Sequence, residues 1–336
     1  MTIEQVRPPG VDENILARFL AGAPEANRGR IILADGNDLR AITAAAMLNE
    51  LGLEVILAGG RETIDAQVRR HGIALTATTV MDVGQLQDSA AGKFLAQKIA
   101  RLDPHKTDGW FEDALFLSVA AVPAGMADAV VAGATRSTSD VLRAALRLVG
   151  TAAGTGAVSS CFLMRLSDGR YLGYGDCAVI PVPDTEQLAD IAAATARTFA
   201  TLTGEEPRVA MLSFSTAGSA NHQSISVVRE ATSLARERDP ELKIDGEMQF
   251  DAALVESVAA SKAPGSAVAG HANVLVFPNL AAGNIGYKIT ERLAGAQAYG
   301  PILQGLAAPV NDLSRGAGIA DIVNVSLISM MQSQEK

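Results

Sequence analysis

Residues 272–277 read ANVLVF, and residues 282–286, a few positions later, read AGNIG. The first segment is a run of apolar and β-favouring residues ended by a proline, which predicts a buried strand. The helix after it carries Ile285, Ile289 and Leu293 at a spacing of four, which gives it one apolar stripe. A buried strand, a glycine-rich turn and an amphipathic helix in this order favour a parallel α/β fold.

The same alternation begins near the N-terminus. The strands predicted from Ile31 and from Glu54 enclose a helix at Ala41–Leu51, which makes a βαβ unit with a right-handed crossover. Asp38 and Arg40 stand where the first strand meets this helix, a position at which α/β proteins bind ligands. The alternative for Asp38 is that it only caps the helix.

The second half of the chain continues as α/β. A small-residue stretch at 151–156 marks a domain crossing, and an Asp-Gly turn at 167–169 joins two strands as a hairpin. The later elements predicted here are a helix at Thr185–Leu202, a strand at Arg208–Ser213, and helices at Ser224–Arg238 and Phe250–Ala260.

Composition and net charge exclude several classes of protein. The 336 residues are 48% hydrophobic and 19% charged, which excludes disorder and allows two domains with separate cores. The net charge of −9 argues against nucleic acid as a partner. No membrane span and no secretory signal are expected, and Cys161 and Cys177 have no metal-ligand spacing, so we expect a cytoplasmic protein without a metal site.

Two polar segments are candidates for chemistry. Residues 309–316 read PVNDLSRG and crowd amides, a carboxyl, a hydroxyl and a guanidinium into an apolar neighbourhood, which indicates a site for an anionic substrate. Residues 137–140 read STSD where a helix opens after a strand, which favours anion binding. Arg143, one turn into that helix, either reaches back to the same pocket or is simply an exposed arginine.

Seven segments together are similar to the phosphate acetyltransferase family. They follow one another at family-like spacing, and the resemblance is strong from about Asp128 to the C-terminus. In chain order they read AGATRSTSDVLR (132–143), GDCAV (175–179), DGEMQFDAA (245–253), KAPGS (262–266), NVLVFP (273–278), GNIGYK (283–288) and PVNDLSRG (309–316).

The resemblance implies an architecture. It is two α/β domains with mostly parallel sheets and an interdomain cleft, like the isocitrate and isopropylmalate dehydrogenases. We expect the first domain at 1–153 plus 302–336 and the second at 154–301, with a homodimer formed mainly through the second domain.

The resemblance also implies the reaction acetyl-CoA + phosphate = acetyl phosphate + CoA, with coenzyme A as a substrate and no permanently bound cofactor. By family position, Asp321 accepts the thiol proton, Ser314 steadies the transition state and Arg315 holds the phosphate. Local sequence leaves open that Asp321 is only the N-cap of the helix at Ile322–Met330. The remaining predicted substrate-binding residues are Arg136, Ser137, Thr138, Arg143, Arg292 and Asn311.

One motif departs from the family. Members usually carry Arg-Lys-His-Lys-Gly in the first domain, whereas residues 101–109 here read RLDPHKTDG. Asp103 takes the place of the arginine and Arg101 is displaced by two residues. Either Arg101 reaches in from a reshaped loop or one positive charge is missing, for which Arg136 compensates.

The sequence is also compatible with other functions. A phosphate butyryltransferase differs only in acyl size, and a non-catalytic protein that binds CoA or acyl phosphate would lack turnover. An oxidoreductase of the dehydrogenase type would need a carboxylate cluster for a divalent metal, and no matching set is found. Covalent catalysis through Cys161 or Cys177 is a rival to direct thiolate attack in a ternary complex.

Overall fold

The computed structural model describes residues 10–22 and 28–334. The chain divides into two compact units. The first runs through Ala152 and resumes at Leu306, and the second covers Ala153–Gly305. Each unit contains one sheet, and the parallel ladders outnumber the antiparallel ones, so the prediction of an α/β fold with mostly parallel sheets is confirmed.

In the described residues, the first unit is built on the strands β1 (Arg30–Leu33), β2 (Glu54–Ala58), β3 (Thr78–Met81), β4 (Ala129–Ala132) and β11 (Val310–Asp312). These five strands are parallel and lie in the order β11-β4-β1-β2-β3. The helices are α1 (Glu13–Gly22), α2 (Leu39–Glu50), α3 (Arg61–His71), α4 (Val83–Asp88), α5 (Ala90–Ile99), α6 (Pro104–Thr107), α7 (Ala114–Ala121), α8 (Thr138–Leu148) and α14 (Ile319–Ser333).

The second unit contains the strands β5 (Ser159–Arg165), β6 (Tyr171–Gly175), β7 (Arg208–Leu212), β8 (Lys243–Met248), β9 (Val274–Val276) and β10 (Gln297–Gln304). These six strands form one sheet in the order β10-β5-β6-β9-β7-β8. The helices are α9 (Thr185–Thr203), α10 (Gln223–Arg238), α11 (Phe250–Leu254), α12 (Glu256–Lys262) and α13 (Leu280–Ala294). The predicted hairpin is the antiparallel pair of β5 and β6.

The core of the first unit explains why the last helix of the chain belongs to it. Helix α14 is buried without a break from Ile322 to Met331, and it packs against α1, α2 and β4. A helix that is apolar around most of its circumference is stable only when surrounded by other elements. The packing of α14 therefore anchors the connection 313–318, which precedes it, to the sheet.

One predicted helix needs correction, and one predicted apolar stripe lies on the surface. The helix predicted at Phe250–Ala260 is two short helices, because the backbone is extended at Val255. The apolar stripe on α13 is exposed in this chain rather than packed: Ile285, Ile289 and Leu293 are 58%, 53% and 84% accessible.

Among the described residues, no helix combines the length and the apolar character that crossing a membrane requires.

Candidate active site

The candidate site lies in the first unit, at the carboxyl ends of three neighbouring strands. Strands β11, β4 and β1 are adjacent and parallel, so the connections that follow them leave the same edge of the sheet. These connections are residues 34–38 after β1, 133–137 after β4 and 313–318 after β11. The two polar segments singled out in the sequence, around Ser137 and Ser314, are thus brought to one edge.

Asp35 joins the first two connections. Its carboxylate accepts hydrogen bonds from the backbone N–H groups of Ala134 (3.0 Å) and Thr135 (3.3 Å), and also from the Thr135 hydroxyl. Because both carboxylate oxygens accept hydrogen bonds from the connection 133–137, Asp35 fixes the backbone conformation just before helix α8.

Arg40 joins all three connections, a role that sequence reasoning missed. Its guanidinium donates to the Asp38 carboxylate (2.7 Å) and to the carbonyl oxygens of Ala134 (3.1 Å), Arg315 (3.1 Å) and Ala317 (2.7 Å). The planar fork of an arginine suits such a set of acceptors, which a lysine does not satisfy. The turn that carries Ser314 and Arg315 is therefore held by its backbone, and both of these side chains stay exposed.

Asp38 caps helix α2, which was the alternative to a ligand-binding role for this residue. Its side chain accepts from the backbone N–H of Arg40 (2.8 Å) at the start of α2. The hydrogen bond from the Arg40 side chain lowers the pKa of Asp38 and keeps the pair ionised. The only signal in the sequence was the placement of both residues at a strand-to-helix junction.

Helix α8 begins with the predicted hydroxyl residues. Ser137 is its N-cap and accepts from the backbone N–H of Asp140 at 3.2 Å. Arg143, one turn later, donates to the Asp140 carboxylate at 2.9 Å and is about half exposed. Arg143 is therefore an exposed arginine paired on its own helix, close in sequence to the hydroxyl groups of Ser137 and Thr138.

Strand β11 ends in two buried polar residues with different partners. Asn311 is fully buried and donates to Ser329 (2.8 Å) and Gln332 (2.7 Å) on α14. Its side chain presents no surface to a substrate, so the predicted binding role of Asn311 lacks the exposure it needs. Asp312 is 1% exposed and accepts from the Thr138 hydroxyl at 2.5 Å, which ties β11 to the start of α8.

Gly133 shows how closely these segments approach. Its φ is +107°, and a Cβ atom there would overlap Oδ1 of Asp312 and lie 2.7 Å from the backbone nitrogen of Leu313. Only glycine suits this position, because any side chain would displace the strand end that leads to Ser314.

Asp321 lies in the first turn of α14 and is partly buried. Its Oδ2 accepts from the backbone N–H of Gly318 at 2.8 Å. The N-cap is Gly318, because the helix starts at Ile319, three residues before the predicted start. Asp321 is thus not the N-cap itself, although its carboxylate satisfies a backbone donor at the helix end.

Two further predicted arginines have acidic partners outside the strand-end connections. Arg136 follows β4 and pairs with Asp113 at the start of α7 at 2.7 Å. Arg292, in the last turn of α13 in the second unit, is 78% exposed and 3.6 Å from Glu291. In residues 101–109, the motif that differs from the family pattern, Asp103 caps α6 by accepting from the N–H of His105 (3.1 Å). Arg101 is exposed.

The geometry on this edge combines an exposed serine and arginine on a braced turn, a helix opening with hydroxyls, and a carboxylate seven residues beyond the serine. The profile of the phosphate acetyl/butaryl transferase family matches residues 15–330, which include all of these elements. The chain belongs to this family.

Individual relatives agree with that assignment. A phosphate acetyltransferase of Acetivibrio thermocellus is 44% identical over 313 residues, covering 90% of this chain and 94% of its own length. A solved phosphotransacetylase from Streptococcus pyogenes is 38% identical with a TM-score of 0.87, and both chains are covered completely. A putative 4-hydroxythreonine-4-phosphate dehydrogenase from Salmonella typhimurium, 12% identical with a TM-score of 0.51 over 90% of this chain and 99% of that one, shares the fold alone.

Proposed function

We propose that this phosphate acetyl/butaryl transferase family member catalyses the reversible reaction acetyl-CoA + phosphate = acetyl phosphate + CoA. The observation that carries the proposal is the braced turn at the edge of the first sheet, where Arg40 holds the backbone while Ser314 and Arg315 remain exposed. Relatives of 40–44% identity named phosphate acetyltransferase support acetyl over butyryl as the acyl group.

The chemistry is a direct acyl transfer. In the direction of acetyl-CoA synthesis, Asp321 takes the proton of the CoA thiol, and the thiolate attacks the carbonyl carbon of acetyl phosphate. A C–S bond forms, the C–O bond to phosphate breaks, and phosphate leaves. Ser314 donates a hydrogen bond to the developing oxyanion, and Arg315 grips the phosphoryl group through its guanidinium fork.

The cysteines support direct attack over a covalent acetyl-enzyme. Both thiols are unpaired and buried, and burial raises the pKa of Cys161 to about 12. Burial also raises the pKa of Cys177 well above its usual value. A thiol that stays protonated at neutral pH is a poor nucleophile.

Turnover and the role of Asp321 are tested together by phosphate-dependent release of CoA from acetyl-CoA. Wild type is expected to release CoA, and Asp321→Asn to lower kcat by roughly a hundredfold or more, as loss of a general base does. The amide oxygen of the substituted side chain still accepts from the N–H of Gly318, so the stability should change little. Asp321→Ala is the matched control for the cap and should also cost about 1 kcal/mol of folding stability.

Three results would each contradict a part of this proposal. Wild-type protein that releases no CoA with phosphate would be a binding protein rather than an enzyme. An Asp321→Asn variant with wild-type kcat would leave Asp321 as a cap only. A higher kcat/KM for butyryl-CoA than for acetyl-CoA would instead reassign the acyl group, since each methylene discriminates by about 1–3 kcal/mol.

Arg136 is proposed to compensate for the charge missing at Asp103. Its guanidinium, bound to Asp113 through one nitrogen, keeps further N–H donors for an anion. We expect Arg136→Ala to raise the phosphate KM by about tenfold, as the loss of one charge-assisted hydrogen bond of about 1.5 kcal/mol predicts. Steady-state kinetics with varied phosphate measures this, and an unchanged phosphate KM would remove Arg136 from the site.

Five further expectations belong to the proposal. Ser137, Thr138 and Arg143 bind the phosphate or acyl phosphate, and Arg292 binds CoA. The two units correspond to functional domains at 1–153 plus 302–336 and at 154–301. The protein is a homodimer through its second domain, and its two unpaired cysteines favour the reducing cytoplasm as its compartment.

A further inference from the structure

The hydrogen bond between Thr138 and Asp312 has no part in the proposed acyl transfer. Thr138 is the first residue of α8, and its hydroxyl lies 2.5 Å from Oδ2 of Asp312. The other oxygen, Oδ1, is buried and has no hydrogen-bond partner among the described residues. A buried carboxylate with one oxygen unpaired is unfavourable, because nothing replaces the water that this oxygen loses.

The surroundings of Asp312 favour the protonated, neutral form of its carboxyl group. Burial raises its pKa to about 7, and the carboxylate of Asp35 adds to the rise, while the Thr138 hydroxyl and the nearby Leu313 N–H oppose it. Asp312 therefore exchanges its proton near neutral pH. The other charged side chains on the surrounding elements are Asp38, paired with Arg40; Arg143, paired with Asp140; Arg136, paired with Asp113; and Arg315 and Asp321 after β11. Helix α8 also carries Arg147, which is exposed in its last turn, at the far end from Thr138.

The two protonation states direct the hydrogen bond in opposite senses. When Asp312 is ionised, the single hydroxyl hydrogen of Thr138 is committed to it. When Asp312 is protonated, its own O–H can donate to the oxygen of Thr138, and the hydroxyl hydrogen of Thr138 is released. A neutral carboxyl that donates in this way is an established device in enzyme sites.

The released hydrogen belongs to a residue at a helix N-terminus. The first backbone N–H groups of α8 and its dipole favour an anion at this end. An anion there gains one more donor from Thr138 and avoids the negative charge of Asp312 when the carboxyl is protonated. Both effects act in the same direction.

We propose that Asp312 is a positioning residue that takes up a proton from solvent when a phosphate-like dianion binds at the N-terminus of α8, turning the Thr138 hydroxyl towards that anion. The inference rests on the proposed function, which takes Thr138 to be a ligand of the phosphoryl group. The anion then binds more tightly at lower pH. It also raises the pKa of Asp312, since protonation and binding favour each other.

The test uses sulfate, which remains a dianion across the neutral range. Isothermal titration of wild type at about pH 7.5, in two buffers with different heats of ionisation, is expected to show uptake of up to about one proton per sulfate. The sulfate dissociation constant should rise about tenfold for each pH unit above the pKa of Asp312.

Variants test whether Asp312 is the group that takes up the proton. In Asp312→Asn the amide N–H takes the place of the acid O–H, so we expect the proton uptake to vanish and the affinity to become independent of pH. Thr138→Ser keeps the hydroxyl and should retain the wild-type uptake. Thr138→Val removes it and should weaken sulfate binding most at low pH, where the hydroxyl hydrogen of wild type is free for the anion.

Three outcomes would overturn the inference: sulfate binding by wild type without proton uptake, equal uptake in Asp312→Asn and wild type, or no sulfate binding by protein that releases CoA. Should Asp312→Asn fail to fold, the wild-type proton count and its pH dependence decide alone. Failure of the proposed function is seen separately, because it abolishes CoA release whereas the proton count does not depend on turnover.

Discussion

Arg40 shows how one residue can prepare a site without reaching the substrate. Its guanidinium satisfies the Asp38 carboxylate and three carbonyl oxygens, two of which belong to the turn that carries Arg315. Such bracing matters, because a reacting group displaced by about 1 Å loses about a hundredfold in rate. The contribution of Arg40 should therefore appear in catalysis as well as in stability.

Arg40→Lys tests this expectation. Lysine keeps the charge but not the fork, so at least the contacts with Arg315 and Ala317 should weaken. We expect kcat/KM to fall by about ten- to a hundredfold. Steady-state kinetics measures it, with Arg30→Lys as the matched control: Arg30 makes a similar side-chain pair with Glu54 at the opposite end of β1. Equal kcat/KM in the two variants would refute the bracing role.

At the scale of elements, the sequence predicted those that carry their own signal. The hairpin of β5 and β6 followed from its Asp-Gly turn, and the helix predicted at Thr185–Leu202 is α9. Strand β8 was missed, because its segment KIDGEM contains charges and a glycine and becomes a strand through pairing with β7.

The residues of the candidate site also divide into those with a local sequence signal and those without one. Ser314, Arg315 and the hydroxyls that begin α8 were predicted, because their residue types stand out locally. The bracing by Arg40 and the burial of Asp312 were not, since they depend on contacts with residues 94 to 277 positions away. No local pattern encodes such distances.

Glu247, near the end of β8, shows an element held by a buried charge. Its carboxylate accepts from Arg229 (2.6 Å and 2.9 Å), from the Ser215 hydroxyl (2.8 Å) and from the N–H of Gly218 (3.0 Å). Burial alone would raise the pKa of Glu247, but these hydrogen bonds outweigh it and hold the pKa at about 2. The carboxylate therefore fixes the loop after β7.

This pKa predicts an acid-sensitive contribution. Because the folded pKa lies below the unfolded one, the stabilisation is complete above about pH 5 and is lost as the pH falls towards 2. Glu247→Gln should therefore be less stable than wild type by on the order of 3 kcal/mol at neutral pH, and by little near pH 2. Urea unfolding at several pH values measures the difference. Glu54→Gln, at an exposed ion pair, should show almost none, and a gap for Glu247→Gln that is constant with pH would refute the assignment.

At the scale of the whole molecule, the charge sets a constraint on binding. A chain with a net charge of −9 repels phosphate and CoA at long range, so the anions must be held by local groups. The first unit supplies such groups where the dipole of α8 and the guanidinium of Arg315 are exposed at one sheet edge.

The exposed face of α13 is the strongest indication of assembly. Ile285, Ile289 and Leu293 form one stripe along this helix in the second unit, and each is more than half accessible. A stripe at a spacing of four normally packs against another element. A second copy of the chain offers the same stripe, and twofold symmetry lets each surface cover the other. This face is where we expect the predicted homodimer to form.

Ile289→Glu places a charge in the middle of the stripe and tests this expectation. A glutamate that becomes buried without a partner costs several kcal/mol, so the dimer dissociation constant should rise by at least about a hundredfold. Sedimentation velocity over a range of concentrations measures it. Lys288→Glu, on the neighbouring polar face of α13, changes the charge by two units and should leave the dimer intact. A monomeric wild type, or a dimer unaffected by Ile289→Glu, would mean that this face does not join two copies.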